Sequence, residues 1–291
     1  MKIVVVGARG MLGTDLMQVL AVHNAAGYDL PELDITDAGQ CRELLRDAHP
    51  DVVIDAAALT NVDYCETHAE EAFEVNGQGT GNLAAAAREL GAILVYYSTD
   101  YVFDGTGAGT YHELDTPNPQ SVYGKSKLRG EEFVRAACPD HLILRTSWLF
   151  GCHGTNFIRT IVGRAREGRT VRVVDDQRGS PTYTPDLAAR TLTLLEKGSR
   201  GTYHVTNSGS CTWYELARQA VAWAGIAGIS IEPVKTHAFP RPAPRPACSI
   251  LANTRMLQEG YPPMRPWEEA ARDYVVSCLP PPEFLSAPEM K

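Results

Sequence analysis

The sequence is short of several features that would place it in a special class. No stretch approaches the roughly 20 consecutive apolar residues that a membrane span needs. The apolar run in "MKIVVVGARG" breaks after a few residues at Gly7 and Arg9, which is too short for the core of a secretory signal. The seven cysteines, at positions 41, 65, 138, 152, 211, 248 and 278, form no CxxC pair. Their odd number argues against a complete disulfide framework, so reduced thiols and a cytoplasmic location are expected. Positive charge is also scarce: 27 Lys and Arg against 35 Asp and Glu leave a formal charge of −8. That balance disfavours a broad nucleic-acid surface but permits a local basic pocket for a small anion. Neither an internal repeat nor a low-complexity segment stands out.

What remains is ordinary globular material. A chain of 291 residues, 44% hydrophobic and 21% charged, can bury a large core in one or two domains. "KIVVVGARGMLGTDLMQVL" runs from an apolar strand through Gly7, Gly10 and Gly13 into helical spacing at Leu12, Leu16, Val19 and Leu20. In such a βα unit the first two glycines let the backbone turn and approach a ligand. The third lets the helix pack closely, and the helix N-terminus offers free N–H groups to a pyrophosphate. The spacing is GxxGxxG rather than GxGxxG, and glycine triplets arise by chance, so the motif gains weight from its context.

"DVVIDAAALT" (51–60) reads as the next strong strand and 71–91 as a helix pair or one long helix. "ILVYYSTD" (93–100) reads as a strand covered on both faces. Alternating strands and helices predict a Rossmann-type doubly wound parallel sheet over residues 1–150. A helix to about 170 and some later segments return to it, and 151–291 form mainly a smaller mixed α/β substrate lobe. The boundary is soft. Prolines in "FPRPAPRPA" (239–247) predict a stiff extended connector.

The strand at 93–99 ends in Ser98 and Thr99 with Asp100 next, and a partner follows in "SVYGKSK", where Tyr123 and Lys127 fall one helical turn apart. Taken singly, each has a plain explanation. Tyr123 and Lys127 match an exposed helix pair, Asp100 a turn residue, and Trp148 a core aromatic. Together, behind a phosphate loop, they describe a site for hydride transfer to a carbonyl. Tyr123 would donate the proton, the Lys127 ammonium would lower its unperturbed pKa of about 10, and Thr99 would fix the oxygen.

Seven ordered motifs extend the pattern: "GARGMLG", "DAAALTNVDYCE", "YYSTDYVFDG", "VYGKSK", "LRTSWLFG", "DQRGSPTYTPDLA" and "RPACSIL". With them the chain resembles the extended short-chain dehydrogenase/reductases. Among these it resembles the dTDP-4-dehydrorhamnose reductase family over almost its whole length. The resemblance implies NADPH or NADH as cofactor and a dTDP-sugar as substrate. Tyr123 is then the proton donor, Lys127 its partner and ribose ligand, and Thr99 the tuner of the donor. It assigns Gly10, Met11 and Leu12 to the pyrophosphate, Asp34 and Ile35 to the adenine end, and Ala58, Leu59 and Thr60 to the cofactor's inner face. Thr99, Asp100 and Trp148 would meet the sugar, and Arg178, Arg241 and Arg245 the substrate's phosphates.

Cofactor preference stays open in the sequence. Asp29 at the second strand favours NADH through a ribose hydroxyl, whereas Arg9 accommodates the 2′-phosphate of NADPH. Leu59 and Asp55 stand where the family often carries an aromatic or histidine and an asparagine. Some members bind Mg2+ at a dimer contact, for which Asp15 is the candidate here, although the sequence shows no ligand cluster. A monomer or homodimer, acting without nucleic acid or membrane, completes the expectation. Two alternatives remain: a 4-ketoreductase for another deoxysugar, and a non-catalytic subunit like the reductase-like β subunit of methionine adenosyltransferase. A 4,6-dehydratase would place an acid directly after Asp100, where this chain has Tyr101.

Overall fold

The computed structural model describes residues 1–107 and 109–280. In chain order the first half runs β1 (Lys2–Val6), α1 (Met11–Val19), β2 (Asn24–Tyr28), α2 (Ala38–Ala48), β3 (Val52–Asp55), α3 (Val62–Thr67) and α4 (Ala69–Phe73). A π-helical segment (Glu74–Gly79) then leads directly into α5 (Thr80–Leu90), β4 (Ile93–Thr99), α6 (Val122–Ala137) and β5 (His141–Thr146). The second half holds β6 (Leu149–Phe150), α7 (Phe157–Arg166), β7 (Val171–Val174), β8 (Arg178–Gly179), β9 (Thr182–Tyr183), α8 (Thr184–Glu196) and β10 (Gly201–His204). It ends with β11 (Cys211–Thr212), α9 (Trp213–Trp223), β12 (Ile231–Val234), α10 (Thr254–Gln258) and α11 (Trp267–Cys278).

Six strands form one parallel sheet in the order β10-β5-β4-β3-β1-β2. The alternation of side chains explains why its strands read as unbroken apolar runs. Ile3 and Val5 enter one core with Leu16, Val95 and Leu187, while Val4 and Val6 enter another with Leu45, Leu83 and Tyr96. Both faces are buried, and each such side chain contributes about 1.5–3 kcal/mol. The chain leaves β1 toward β2, then returns to β3 and continues the other way, so a crevice opens at the carboxyl ends of β1 and β3.

The later segments divide between the sheet and a lobe above that crevice. Strand β10 joins the sheet beside β5, and α8 packs on α1. Helix α7 does not cover the sheet. Its Ile158, Ile161 and Val162 pack with α9 and α11 side chains such as Leu216 and Tyr274. The short pairs β6 with β9, β7 with β12, and β8 with β11 complete the lobe.

The thiols depart from the all-reduced expectation. Cys152 and Cys278 are joined as a disulfide, with Cα atoms 5.5 Å apart and a sequence separation of 126, and the other five are free. The lobe core brings the loop after β6 against the end of α11, a contact that sequence spacing does not reveal. Among the described residues no helix is long and apolar enough to cross a membrane.

Candidate active site

The phosphate loop is built by close approach. Gly7 has φ +76°, and a Cβ there would lie 2.6 Å from the Ala57 backbone nitrogen. A Cβ on Gly13 would lie 2.0 Å from the Gly7 carbonyl oxygen, so α1 docks on the turn only because position 13 has no side chain. Gly10 precedes α1 with extended backbone and no side-chain cap, which leaves the first N–H groups of the helix available to an anion.

A cavity of about 580 Å³ opens above this loop. Its lining brings together Gly10, Met11, Leu12, Gly13, Ala58, Thr60, Thr99, Asp100, Tyr123, Lys127 and Trp148, all read as site residues in the sequence. A backbone cradle that excludes a Cβ, a free helix N-terminus and a lysine at the inner end fit a nicotinamide dinucleotide. Four residues assigned to the cofactor stand back from this lining. Gly7 shapes the turn, Leu59 is held behind the wall through its backbone, Ile35 is buried against Gly79, and Asp34 accepts the Thr36 amide and hydroxyl.

The opposite wall comes from α6. Ser121 caps it by accepting the Gly124 amide at 3.1 Å. Gly124 and Gly130 lie inside the helix, where glycine ordinarily costs stability. A Cβ on Gly124 would sit 2.2 Å from the Tyr101 carbonyl oxygen, and one on Gly130 would sit 2.3 Å from the Tyr96 hydroxyl. These glycines seat α6 on β4, which sets Tyr123 and Lys127 against Thr99. Sequence reading passed over both, although glycine within a helical pattern was the available signal.

Burial governs the ionisation of the pair. It pushes the Tyr123 phenol well above its usual range, with the Thr99 hydroxyl acting in the opposite direction. Burial dominates, so the phenol is raised rather than lowered as the Lys127 spacing led one to expect. The phenol stays protonated at neutral pH, as a donor in reduction requires. Lys127 is itself driven down to about 8 by burial, opposed by Asp55 and Glu131. Its Nζ lies 4.2 Å from the centroid of the Tyr96 ring.

Asn76, in the π-helical segment, holds the wall behind Leu59. Its side chain accepts the Leu59 amide at 2.8 Å and donates to the Leu59 carbonyl at 3.0 Å and to Ser126 at 3.0 Å. An asparagine followed by two closely spaced glycines inside a helical stretch was the overlooked signal. Buried Glu131 accepts from Nε and Nη2 of Arg145, each at 2.8 Å, and from the Ser98 hydroxyl at 2.6 Å.

Asp100 and Trp148 also line the cavity. Asp100 is 2% exposed, its Oδ2 has no hydrogen-bond partner, and burial raises its carboxyl to about 6. Trp148 sits just past β5 with φ +48°, a strained conformation for a bulky residue and one that clusters at functional sites.

A second cavity of about 650 Å³ adjoins the first, and Tyr101 and Trp213 line both. Arg241 and Arg245 border it, and both face Asp63, at 3.6 Å and 3.0 Å. Arg164, Arg172 and Gln177, which the sequence reading did not single out, add polar groups to its wall. Arg178 does not join them. Its guanidinium turns to Ser210 and Glu215 instead.

Two other expectations meet the structure at the sheet edge. Asp29 accepts the Arg9 and Leu30 amides, while the Arg9 guanidinium donates to the Leu30 carbonyl and pairs with Glu32. Asp15, the candidate for Mg2+, is no surface ligand. It is 3% exposed and lies 3.6 Å from His153, and no metal-holding group of His, Cys, Asp or Glu occurs among the described residues.

Comparison with known proteins matches residues 1–279 to the family described as the RmlD substrate binding domain. The spore coat polysaccharide biosynthesis protein SpsK of Bacillus subtilis is 40% identical over 94% of this chain and 96% of its own. A dTDP-4-dehydrorhamnose reductase structure from Clostridium acetobutylicum superposes with a TM-score of 0.92 at 40% identity, covering 95% of this chain and 99% of the other. The Bacillus anthracis dTDP-4-dehydrorhamnose reductase, solved in complex with NADP, also superposes at 0.92. It is 37% identical and covers 94% and 98% of the two chains.

Proposed function

This chain belongs to the dTDP-4-dehydrorhamnose reductase family, that of the RmlD substrate binding domain, and from that premise we propose that it converts dTDP-4-dehydro-6-deoxy-L-mannose to dTDP-L-rhamnose with NADPH or NADH. The observation that carries this reading is that the cavity lined by Tyr123 and Thr99 shares two wall residues, Tyr101 and Trp213, with the second cavity. One cavity suits a dinucleotide and the other a nucleoside diphosphate, so a keto-sugar spanning them presents its carbonyl to Tyr123.

Each residue has a task in this reading. The backbone of Gly10 to Gly13 and the N-terminus of α1 hold the pyrophosphate, and Lys127 donates to the ribose. The bound dinucleotide supplies the hydride that reaches C4. Tyr123 gives its phenolic proton to the C4 oxygen as that oxygen gains charge, and Thr99 fixes the oxygen in line with it. Lys127 stabilises the tyrosinate that results. The unpartnered Oδ2 of Asp100 accepts a sugar hydroxyl, Trp148 walls the ring, and Arg241 and Arg245 neutralise the diphosphate. Asp29 and Arg9 leave the two cofactors as alternatives. We also take the protein to act in the cytoplasm as a monomer or homodimer, on a freely diffusing nucleotide sugar, without membrane or nucleic acid.

Oxidation of NADH and NADPH, followed against a panel of dTDP-4-keto sugars, tests the reading. Fastest turnover of the rhamnose precursor supports it. Preference for another 4-keto sugar assigns the enzyme to that deoxysugar, and no turnover of any sugar favours the regulatory-subunit alternative.

A further inference from the structure

Apart from tyrosines, three ionisable side chains line the cofactor cavity, and Lys127 and Asp100 have tasks in the reaction. The third is Asp55, the last residue of β3, which is 1% exposed. Its carboxylate accepts the Thr80 hydroxyl at 2.9 Å and the Ala57 amide at 3.2 Å. Neither partner carries positive charge, and a buried carboxylate without a counter-charge is costly. The sheet register supplies one. Asp55 stands directly across from Tyr96 on β4, and the Lys127 ammonium lies over the Tyr96 ring. Carboxylate and ammonium therefore converge around one aromatic side chain.

Resting on the reductase reading, we propose that Asp55 is a positioning residue that holds Lys127 as an ammonium, and so keeps a charged donor directed at the ribose of the cofactor. Burial favours the neutral amine at position 127, and Asp55 is the foremost group opposing it, ahead of Glu131. Reciprocally, burial raises the Asp55 carboxyl and Lys127 pulls it back. Glu131 is already shared among Arg145, Arg135 and Ser98, which leaves Asp55 as the counter-charge with no other cation.

The remaining titratable groups around Lys127 do not take this role. Tyr123 on its own helix and Tyr96 on β4 are held neutral by burial. Asp100, in the turn after β4, bonds Thr99. On α3, Asp63 pairs with Arg241 and Arg245, Glu66 accepts the Val122 amide, and burial keeps the Cys65 thiol neutral. Arg145 on β5 is bound to Glu131. Glu70 and Glu71 on α4, Glu74 in the π segment, and Arg88 and Glu89 on α5 are exposed.

The sign of the effect follows. Without the Asp55 charge, Lys127 loses its proton at lower pH and is a neutral amine near neutrality. The test uses the full chain with 13Cε-lysine labelling, and Lys127→Met assigns the resonance. In Asp55→Asn, which keeps the size and the Thr80 contact, the Lys127 midpoint is expected to fall by about one pH unit or more. The Kd of this variant for NADH is then expected to rise about tenfold from pH 6 to pH 8, where the wild type changes less than about twofold. In Lys127→Met, the Asp55 carboxyl, followed by 13C, is expected to titrate higher. An unmoved or raised Lys127 midpoint in folded Asp55→Asn overturns the proposal, and so does an unmoved Asp55 midpoint in Lys127→Met, which decides alone if the asparagine variant does not fold. A wild type that takes up neither NADH nor NADPH defeats the reductase reading, while the two titrations still decide whether Asp55 and Lys127 are coupled.

Discussion

Trp148 and Trp213 lie face to face, with ring centroids 3.5 Å apart and planes 7° from parallel. The stack joins the second residue past β5 to the first residue of α9, and so ties the sheet to the lobe above it. Gly179 makes room for it, since a Cβ there would lie 2.4 Å from the Trp148 ring. A left-handed backbone at a bulky residue costs about 1–3 kcal/mol, which the stack and the close fit at Gly179 offset. Trp148→Ala is therefore expected to raise KM for the keto-sugar about tenfold with little change for the cofactor, corresponding to roughly 1–1.5 kcal/mol. Steady-state kinetics with each substrate varied in turn checks this. Equal effects on both would make Trp148 a packing residue only.

Removal of the Tyr123 hydroxyl isolates the chemical step. Tyr123→Phe keeps the ring that meets Tyr101 edge-on at 5.6 Å, so fold and cofactor binding should persist. The rate constant kcat is expected to fall by about 10²–10⁴ while Kd for NADPH stays unchanged. Single-turnover rates and fluorescence titration measure the two quantities. Near wild-type turnover would remove Tyr123 as the donor.

The two halves of the predicted arginine set should behave differently. Arg245 borders the second cavity beside Asp63, whereas Arg178 is engaged with Ser210 and Glu215 outside it. A charge-assisted bond to a diphosphate contributes about 1.5–3 kcal/mol, so Arg245→Gln is expected to raise KM for the dTDP-sugar by about ten- to a hundredfold. Arg178→Gln should leave KM within about twofold of wild type. Equal losses in both variants would count against the second cavity as the nucleotide site.

Cofactor binding should depend on Gly13 even more sharply than on Gly10. A Cβ on Gly10 meets only the Gly7 carbonyl, at 3.2 Å, whereas one on Gly13 collides with it at 2.0 Å. Gly13→Ala forces α1 off the turn and should abolish the fluorescence enhancement of bound NADPH. Circular dichroism is expected to show the sheet intact. Full binding by the folded variant would exclude the loop as the pyrophosphate cradle.

His204 offers a pH prediction. It is fully buried, its Nδ1 lies 3.1 Å from the Ala252 carbonyl, and burial drives its pKa from 6.5 down to about 3. The folded value lies below the unfolded one, so the unfolded chain takes up the proton first as pH falls. Stability is therefore present above about 6.5 and lost progressively toward 3. His204→Gln should melt lower than wild type at pH 7, yet lose less Tm between pH 7 and pH 4. Parallel Tm slopes for the two proteins would show that His204 does not contribute to acid unfolding.

Much of the site was legible because its parts are local. The strand before Gly7, the helix after it, the hydroxyls ending β4 and the one-turn spacing of Tyr123 and Lys127 each lie within one or two turns or one strand. Their geometry is set by covalent distance and by the 2.0 and 3.6 residue periods. The corrections share the opposite origin. Arg178 and Arg245 look alike in sequence, and only the pairing of β8 with β11 turns one of them away from the cavity. The Tyr123 phenol is raised rather than lowered, because packing against β4 removes water more completely than one lysine compensates. The same holds for the disulfide.

By itself, the order of residues determined the parallel sheet, its carboxyl edge and the one-turn spacing of Tyr123 and Lys127, since apolar runs and glycine spacing restrict what the backbone can do nearby. Only the tertiary structure decided which charges meet. Asp55 faces Tyr96 across the sheet register with Lys127 over that ring, Asn76 clamps Leu59 through a π-helical turn, and Trp148 stacks on Trp213. These contacts join elements far apart in the chain, and their energies depend on burial and distance, which exist only once the elements have packed.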